Sequence, residues 1–222
     1  MATVLVIGAS RGIGLEFVRQ YREAGERVIA TARDDEGLAR LRALGAETLR
    51  VDVAQPASVS GLSWQLDGEE IDLALYVAGV FSQGAATSPP TQQAFDAVMH
   101  TNVLGLMQAL PQVMPMVEAA GGVFGALSSA MGQIGAVSGS HGWLYRTSKA
   151  ALNMALSSAR FDHPRATLVA LDPGWVQTDM GGAAAPLTAE ASVRGLRQVL
   201  ASLTPEDNGQ LIHHDGRRAS SW

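Results

Sequence analysis

Two short stretches of this 222-residue chain place residue types at spacings that can do chemistry. In Tyr145-Arg-Thr-Ser-Lys149 a phenol and an ammonium stand four residues apart. On a helix, positions i and i+4 share a face, so both groups point into one site. A free phenol, with a pKa of about 10, is a poor proton shuttle at neutral pH. A neighbouring ammonium favours the phenolate, which predicts a lowered pKa and a usable acid or base. Lys149 is also the only lysine among 16 basic residues, the rest being arginine. The second stretch, Gly8-Ala-Ser-Arg-Gly12-Ile-Gly14, follows the apolar run Val4-Leu5-Val6-Ile7 and precedes an amphipathic pattern. Glycines at such a strand-to-helix turn let the backbone approach a pyrophosphate, whose charge rests on the helix N-terminus. Gly8, Ser10, Arg11, Gly12, Ile13 and Gly14 are therefore candidate dinucleotide contacts.

The elements that must position these groups alternate regularly. Short apolar runs at 2–7, 27–32, 47–53, 71–77, 122–127, 166–171 and 209–213 predict strands. Between them lie helical patterns at 12–24, 36–44, 57–66, 144–160 and 189–203. A longer helical stretch at 91–119 is expected to break near Pro111 and Pro115. This alternation predicts an α/β fold: a doubly wound parallel β-sheet flanked by helices on both faces. No repeat, linker or charge block divides the chain, so residues 1–222 are read as one Rossmann dinucleotide-binding domain with a substrate loop at about 172–188.

Composition narrows the classes further. Apolar residues make up 47% and charged residues 17%, which excludes intrinsic disorder. The net charge of −5 argues against a nucleic-acid partner. With no cysteine there is neither thiol catalysis nor a Cys-ligated metal, and no metal site is read. No apolar run is long enough to span a bilayer, and the first apolar stretch is too short for a signal peptide. A cytoplasmic location without a membrane partner is expected.

Together the two motifs resemble the short-chain dehydrogenase/reductase family, and the resemblance runs along essentially the whole chain. It implies catalytic roles for Tyr145, Lys149, Ser129 (of Ser128-Ser129) and Asn102 (in His100-Thr-Asn-Val-Leu-Gly), the last holding a water of the proton relay. Tyr145 and Lys149 would also meet the cofactor. The resemblance further implies adenine contacts from Asp52 and Val53, and ribose approach at Ala78 and Gly79. Nicotinamide contacts fall in Asp172-Pro-Gly-Trp-Val-Gln-Thr178, at Pro173, Gly174, Val176 and Thr178. One departure stands out: Tyr76-Val-Ala-Gly79 replaces the family's Asn-Asn-Ala-Gly, a change expected to touch local stability rather than chemistry. Sixteen positions separate Ser129 from Tyr145. With Gly142-Trp-Leu-Tyr, Thr178-Asp-Met-Gly-Gly182 and the ending His214-Asp-Gly…Trp222, that gap resembles the C-factor-type, carbonyl-reductase-like branch. Met131, Trp143 and Trp175 either line an apolar pocket or pack the core, and His141 reads as an exposed loop residue.

Cofactor choice turns on the end of the second strand, Thr31-Ala32-Arg33, which lacks the acid that binds the NAD ribose. Arg33 and Arg11 can instead clamp a 2′-phosphate, so NADP(H) is preferred. NAD(H) is the alternative if a carboxylate of Asp34-Asp35-Glu36 turns inward. The expected activity is reversible hydride transfer to a carbonyl, with a small carbonyl or alcohol as substrate and a permissive pocket. A homodimer or homotetramer is implied by the resemblance. The competing reading is an NADP(H)-binding regulatory or signalling protein on the same fold, without significant turnover.

Overall fold

Strand β1 (Thr3–Ile7) lies inside a fully parallel seven-stranded sheet, third from one edge. The computed structural model describes residues 1–220 and 222. The remaining strands are β2 (Arg27–Ala32), β3 (Glu47–Arg50), β4 (Leu73–Tyr76), β5 (Val123–Leu127), β6 (Thr167–Asp172) and β7 (Leu211–His213). Their order is β3-β2-β1-β4-β5-β6-β7, so the chain reverses direction across the sheet between β1 and β4. In open parallel sheets such a switch point leaves a crevice at the carboxyl ends of the strands, where ligands bind.

The period-two alternation of a strand distributes one sequence between two cores. Leu5 and Ile7 of β1 join Ile29, Ala74 and Tyr76 on one face, whereas Val4 and Val6 join Val28, Ala30 and Leu75 on the other. The first face is covered by α3 (Pro56–Val59), α4 (Leu62–Gln65), α6 (Gly105–Ala120) and α7 (Trp143–Ala159), through Leu62, Leu106, Met114 and Leu152. The second is covered by α1 (Gly12–Glu23), α2 (Asp35–Ala43) and α8 (Ala189–Ala201), through Phe17, Leu41 and Leu196. Each such buried side chain contributes roughly 1.5–3 kcal/mol. No helix among the described residues is long and apolar enough to cross a membrane.

The expected elements are all present, with three differences. The 57–66 pattern splits into α3 and α4, because the chain leaves the helix at Ser60-Gly61. The third strand ends at Arg50, since Asp52 closes a turn by accepting from the Ala54 amide at 3.1 Å. Most tellingly, Pro111 and Pro115 do not break their helix. Both lie exposed, so the carbonyls they leave unpaired face water, while Leu106, Ala109, Val113 and Val117 stay buried below. The interruption comes earlier. Between α5 (Gln92–Met99) and α6 the backbone takes a π turn at His100–Leu104, with Asn102 at its middle.

Candidate active site

Most of the candidate groups follow the carboxyl end of a strand, whereas Asn102 comes from the π turn and Tyr145 and Lys149 from α7. Gly8 to Gly14 follow β1, Arg33 follows β2, Ala78 and Gly79 follow β4, Ser129 follows β5, and Pro173 to Thr178 follow β6. Gly8 has φ +86°, and a Cβ there would stand 2.6 Å from the Ala78 amide nitrogen, so the turn after β1 presses on the end of β4. Gly12 (φ +53°) starts α1 and faces the Thr178 methyl at 3.3 Å from its own Cβ position. No side chain caps α1, whereas Asp34, Thr91 and Thr188 cap α2, α5 and α8. Its first amides are thus free of a side-chain partner, the condition for an anion to take their place.

An open groove of about 430 Å³ runs from this turn, lined by Ser10, Arg11, Gly12, Leu15, Arg40, Thr178 and Asp179. The cradle fits a dinucleotide: glycines where a Cβ would intrude, uncapped amides and two guanidinium groups at one end. Arg11 Nη1 meets Asp179 Oδ2 at 3.1 Å across the groove, joining the glycine turn to the 172–188 loop. Arg40, which its sequence neighbourhood does not single out, donates from Nε to the Ser10 carbonyl at 3.0 Å. Arg33 is exposed and stands apart from this lining. Each of the three carboxylates after it has a partner, Asp34 facing Arg33 itself at 3.8 Å and Glu36 reaching the groove-lining Arg40. Asp34 accepts from the Gly37 amide, Asp35 pairs with Arg50, and Glu36 pairs with Arg40.

Asn102 is fully buried and all of its amide is used. Oδ1 accepts from the Val80 amide at 2.8 Å, and Nδ2 donates to the Val80 carbonyl and to Ser148 Oγ, both at 2.9 Å. Its side chain therefore braces the end of β4 against α7. Gly79 faces the space this leaves: a Cβ there would lie 3.5 Å from Asn102 Oδ1 and 3.6 Å from Lys149 Nζ. The departure at Tyr76 gains a structural explanation. Its buried hydroxyl donates to the Thr101 carbonyl in the π turn at 2.7 Å, and a Cβ at Gly105 would come within 2.6 Å of that oxygen. Burial pushes the Tyr76 phenol far up, so it acts as a fixed donor. Tyr76→Phe is expected to lower stability by about 1–3 kcal/mol, read by urea denaturation, because the Thr101 carbonyl is left without this partner.

Tyr145 and Lys149 share a face of α7, and both are buried. Lys149 Nζ lies 5.6 Å from the centroid of the Tyr145 ring and donates to the Leu127 carbonyl at 2.7 Å. Burial pulls the ammonium down to about 8. The phenol moves opposite to the sequence expectation. Burial pushes Tyr145 up to about 12, while the Ser129 hydroxyl acts to lower it and the Asp172 charge to raise it. Loss of hydration outweighs the Ser129 hydrogen bond. Ser129 itself turns its Oγ to the Met131 amide at 3.1 Å. Phe81 packs edge-on to Tyr145 at 4.9 Å and leans on His141, which is exposed as expected. Trp175 lies exposed on the loop, with its indole donating to the Gly181 carbonyl at 2.8 Å. The Pro173-Gly174 turn is fixed from behind, Ser192 Oγ donating to the Pro173 carbonyl at 2.7 Å. Val176 is buried and bridged to Leu187, which closes the root of the loop.

A family model described as short chain dehydrogenase matches residues 2–187. A 1-hydroxy-2-glutathionyl-2-methyl-3-butene dehydrogenase of Rhodococcus sp. (strain AD45) is 32% identical over 97% of this chain and 98% of its own length. Among solved structures, the carbonyl reductase Sniffer of D. melanogaster superposes with a TM-score of 0.92 at 26% identity, over the whole of both chains. A Burkholderia multivorans chain solved with bound NADP gives a TM-score of 0.89 at 29% identity, covering 100% of this chain and 99% of that one.

Proposed function

This chain belongs to the short chain dehydrogenase family, an oxidoreductase family, and from that premise we propose that it reduces a small carbonyl substrate with NADPH, reversibly. The observation that carries the reading is the grouping of Ser129 and Lys149 about the Tyr145 phenol, with Asn102 and Lys149 both facing Gly79. A nicotinamide dinucleotide supplies the hydride when bound. Tyr145 gives its proton to the carbonyl oxygen as negative charge develops there. With its phenol at about 12, it is fully protonated at neutral pH, the form that a reduction needs. Ser129 orients the same oxygen by a hydrogen bond, and Lys149 holds the nicotinamide ribose. Asn102 fixes the Gly79-Val80 backbone beside Lys149, where the relay water of the family reading would sit. Ala78, Gly79, Pro173, Gly174, Val176 and Thr178 shape the nicotinamide end. Asp52 and Val53 belong to the adenine end, and residues 172–188 form the substrate loop.

NADP(H) is favoured over NAD(H) by the occupied carboxylates of Asp34, Asp35 and Glu36 and by the guanidinium groups near the groove. The NADP-bound neighbour supports the same choice. Arg11 and Arg40, which line the groove, are assigned to the 2′-phosphate ahead of Arg33, which stands apart from it. The exposed side chains of Phe95, Met107 and Met154 on the α5–α7 side suit a homodimer or homotetramer.

The test is consumption of NADPH and of NADH against a panel of aldehydes, ketones and diketones. Turnover with a preference for NADPH is expected. Alanine at Arg11 or Arg40 should raise the KM for NADPH about tenfold or more and leave the NADH reaction nearly unchanged, as loss of a charge-assisted hydrogen bond requires. Equal effects on both cofactors would remove these arginines from the phosphate site. Tight NADPH binding without turnover on any carbonyl would favour the regulatory reading instead.

A further inference from the structure

Asp172, at the end of β6, is a buried carboxylate outside the assigned set that touches several of its segments. Its Oδ1 accepts from the amide of Ala130, the residue after Ser129, at 3.0 Å, and from the Gly174 amide at 3.3 Å. Its Oδ2 meets Nδ1 of His213, on β7, at 2.7 Å. The backbone reinforces this union, the His214 amide donating to the Asp172 carbonyl at 2.9 Å. Each of these is a charge-assisted bond, made where the carboxylate has little water to turn to.

We propose that Asp172 is a positioning residue for the carbonyl reduction: its carboxylate locks the Ser129 segment to the Pro173-Gly174 turn, with His213 holding the carboxylate in place. The inference rests on the reading of Tyr145 as proton donor. It joins the segment that orients the carbonyl to the one that meets the nicotinamide. Movement of either is transmitted to the other through one side chain.

The charge of Asp172 gives this role a readout that packing alone would not move. Facing the Tyr145 phenol are Ser129 from the end of β5, Lys149 one turn along α7, and Asp172 from β6 with His213 behind it. Across the Phe81 ring lies His141, to whose carbonyl the Arg146 guanidinium donates. The Asp172 carboxylate disfavours phenolate, so it keeps Tyr145 protonated to higher pH. Alcohol oxidation needs the phenolate and therefore rises with pH.

Asp172→Asn keeps an oxygen for the two amides but removes the charge. The half-point of the oxidation profile should move down, by on the order of half a pH unit. His213→Leu removes the imidazole that holds Oδ2, so the carboxylate is no longer fixed at the Ala130 and Gly174 amides and the half-point should differ from that of the wild type. The two variants are read independently, each after thermal unfolding shows it folded, so either decides alone if the other does not fold. A folded variant whose half-point coincides with that of the wild type overturns the proposal. A wild-type protein with no turnover in either direction overturns the oxidoreductase reading and this inference together.

Discussion

Replacing Tyr145 by Phe is expected to lower turnover at least about 10²-fold while leaving NADPH affinity within a few-fold of the wild type. The phenol supplies the proton for the developing alkoxide, and no other described side chain takes its place. Lys149 is turned to the Leu127 carbonyl, and Ser129 is no stronger an acid than water. The substitution keeps the ring, so the edge-on contact with Phe81 at 4.9 Å survives and the site stays assembled. Steady-state rates paired with a fluorescence titration of NADPH separate the two parameters. Near-normal turnover in the variant would remove Tyr145 from the proton transfer and the oxidoreductase mechanism with it.

Lys149→Met should separate stability from activity. Burial draws the ammonium from its ordinary value of 10.5 to about 8, so at neutral pH the cofactor-free fold holds a charged group that it disfavours. At about 1.4 kcal/mol per pH unit, that is a penalty of about 3 kcal/mol. Removing the amine also leaves the Leu127 carbonyl without its donor, which returns about 1 kcal/mol. The net expectation for the cofactor-free variant at pH 7 is a gain on the order of 2 kcal/mol in urea denaturation. The sign follows from proton counting: between about pH 8 and 10.5 the unfolded chain binds the extra proton, so wild-type stability climbs with pH across that window. The advantage of the variant shrinks accordingly and is gone above it. Turnover falls about 10²-fold or more over the same comparison, since the ribose loses its anchor. A variant less stable than the wild type at neutral pH would mean that the amine is comfortable where it lies.

How much of this was legible in the sequence depends on whether a function is local. The glycine turn is readable because a backbone with φ +86° at Gly8, and no room for a Cβ against Ala78, dictates the residue type. Tyr145 and Lys149 are readable because helical spacing alone puts them on one face. Arg40 and Asp172 carry no local sign of function because their partners are distant in sequence: Ser10 for one, Ala130 and His213 for the other. The break expected near Pro111 and Pro115 falls instead at His100–Leu104 for a related reason. Proline punctuates a helix strongly in sequence, but two exposed prolines over a buried apolar face are tolerated. The π turn left no local sign, since its determinants are a hydroxyl from β4 and a missing side chain at Gly105. The phenol of Tyr145 shows the same limit in electrostatic form. Its neighbours in the sequence predict acidity, whereas the fold buries it and raises it.

Counted in residues, the π turn at His100–Leu104 amounts to one surplus position lodged in an otherwise continuous pair of helices. A single deletion there would restore an unbroken α-helix with its two halves still in register, because five residues of π turn advance the chain by about as much rotation as four of α-helix. Val98 and the Thr91 cap on one side would keep their phase with Leu106 and Ala109 on the other. What the surplus position supplies is local: it brings the Thr101 carbonyl to the Tyr76 hydroxyl and seats Asn102 against Val80 and Ser148, and a chain shortened by one residue there would lose that seat while keeping the α6 core.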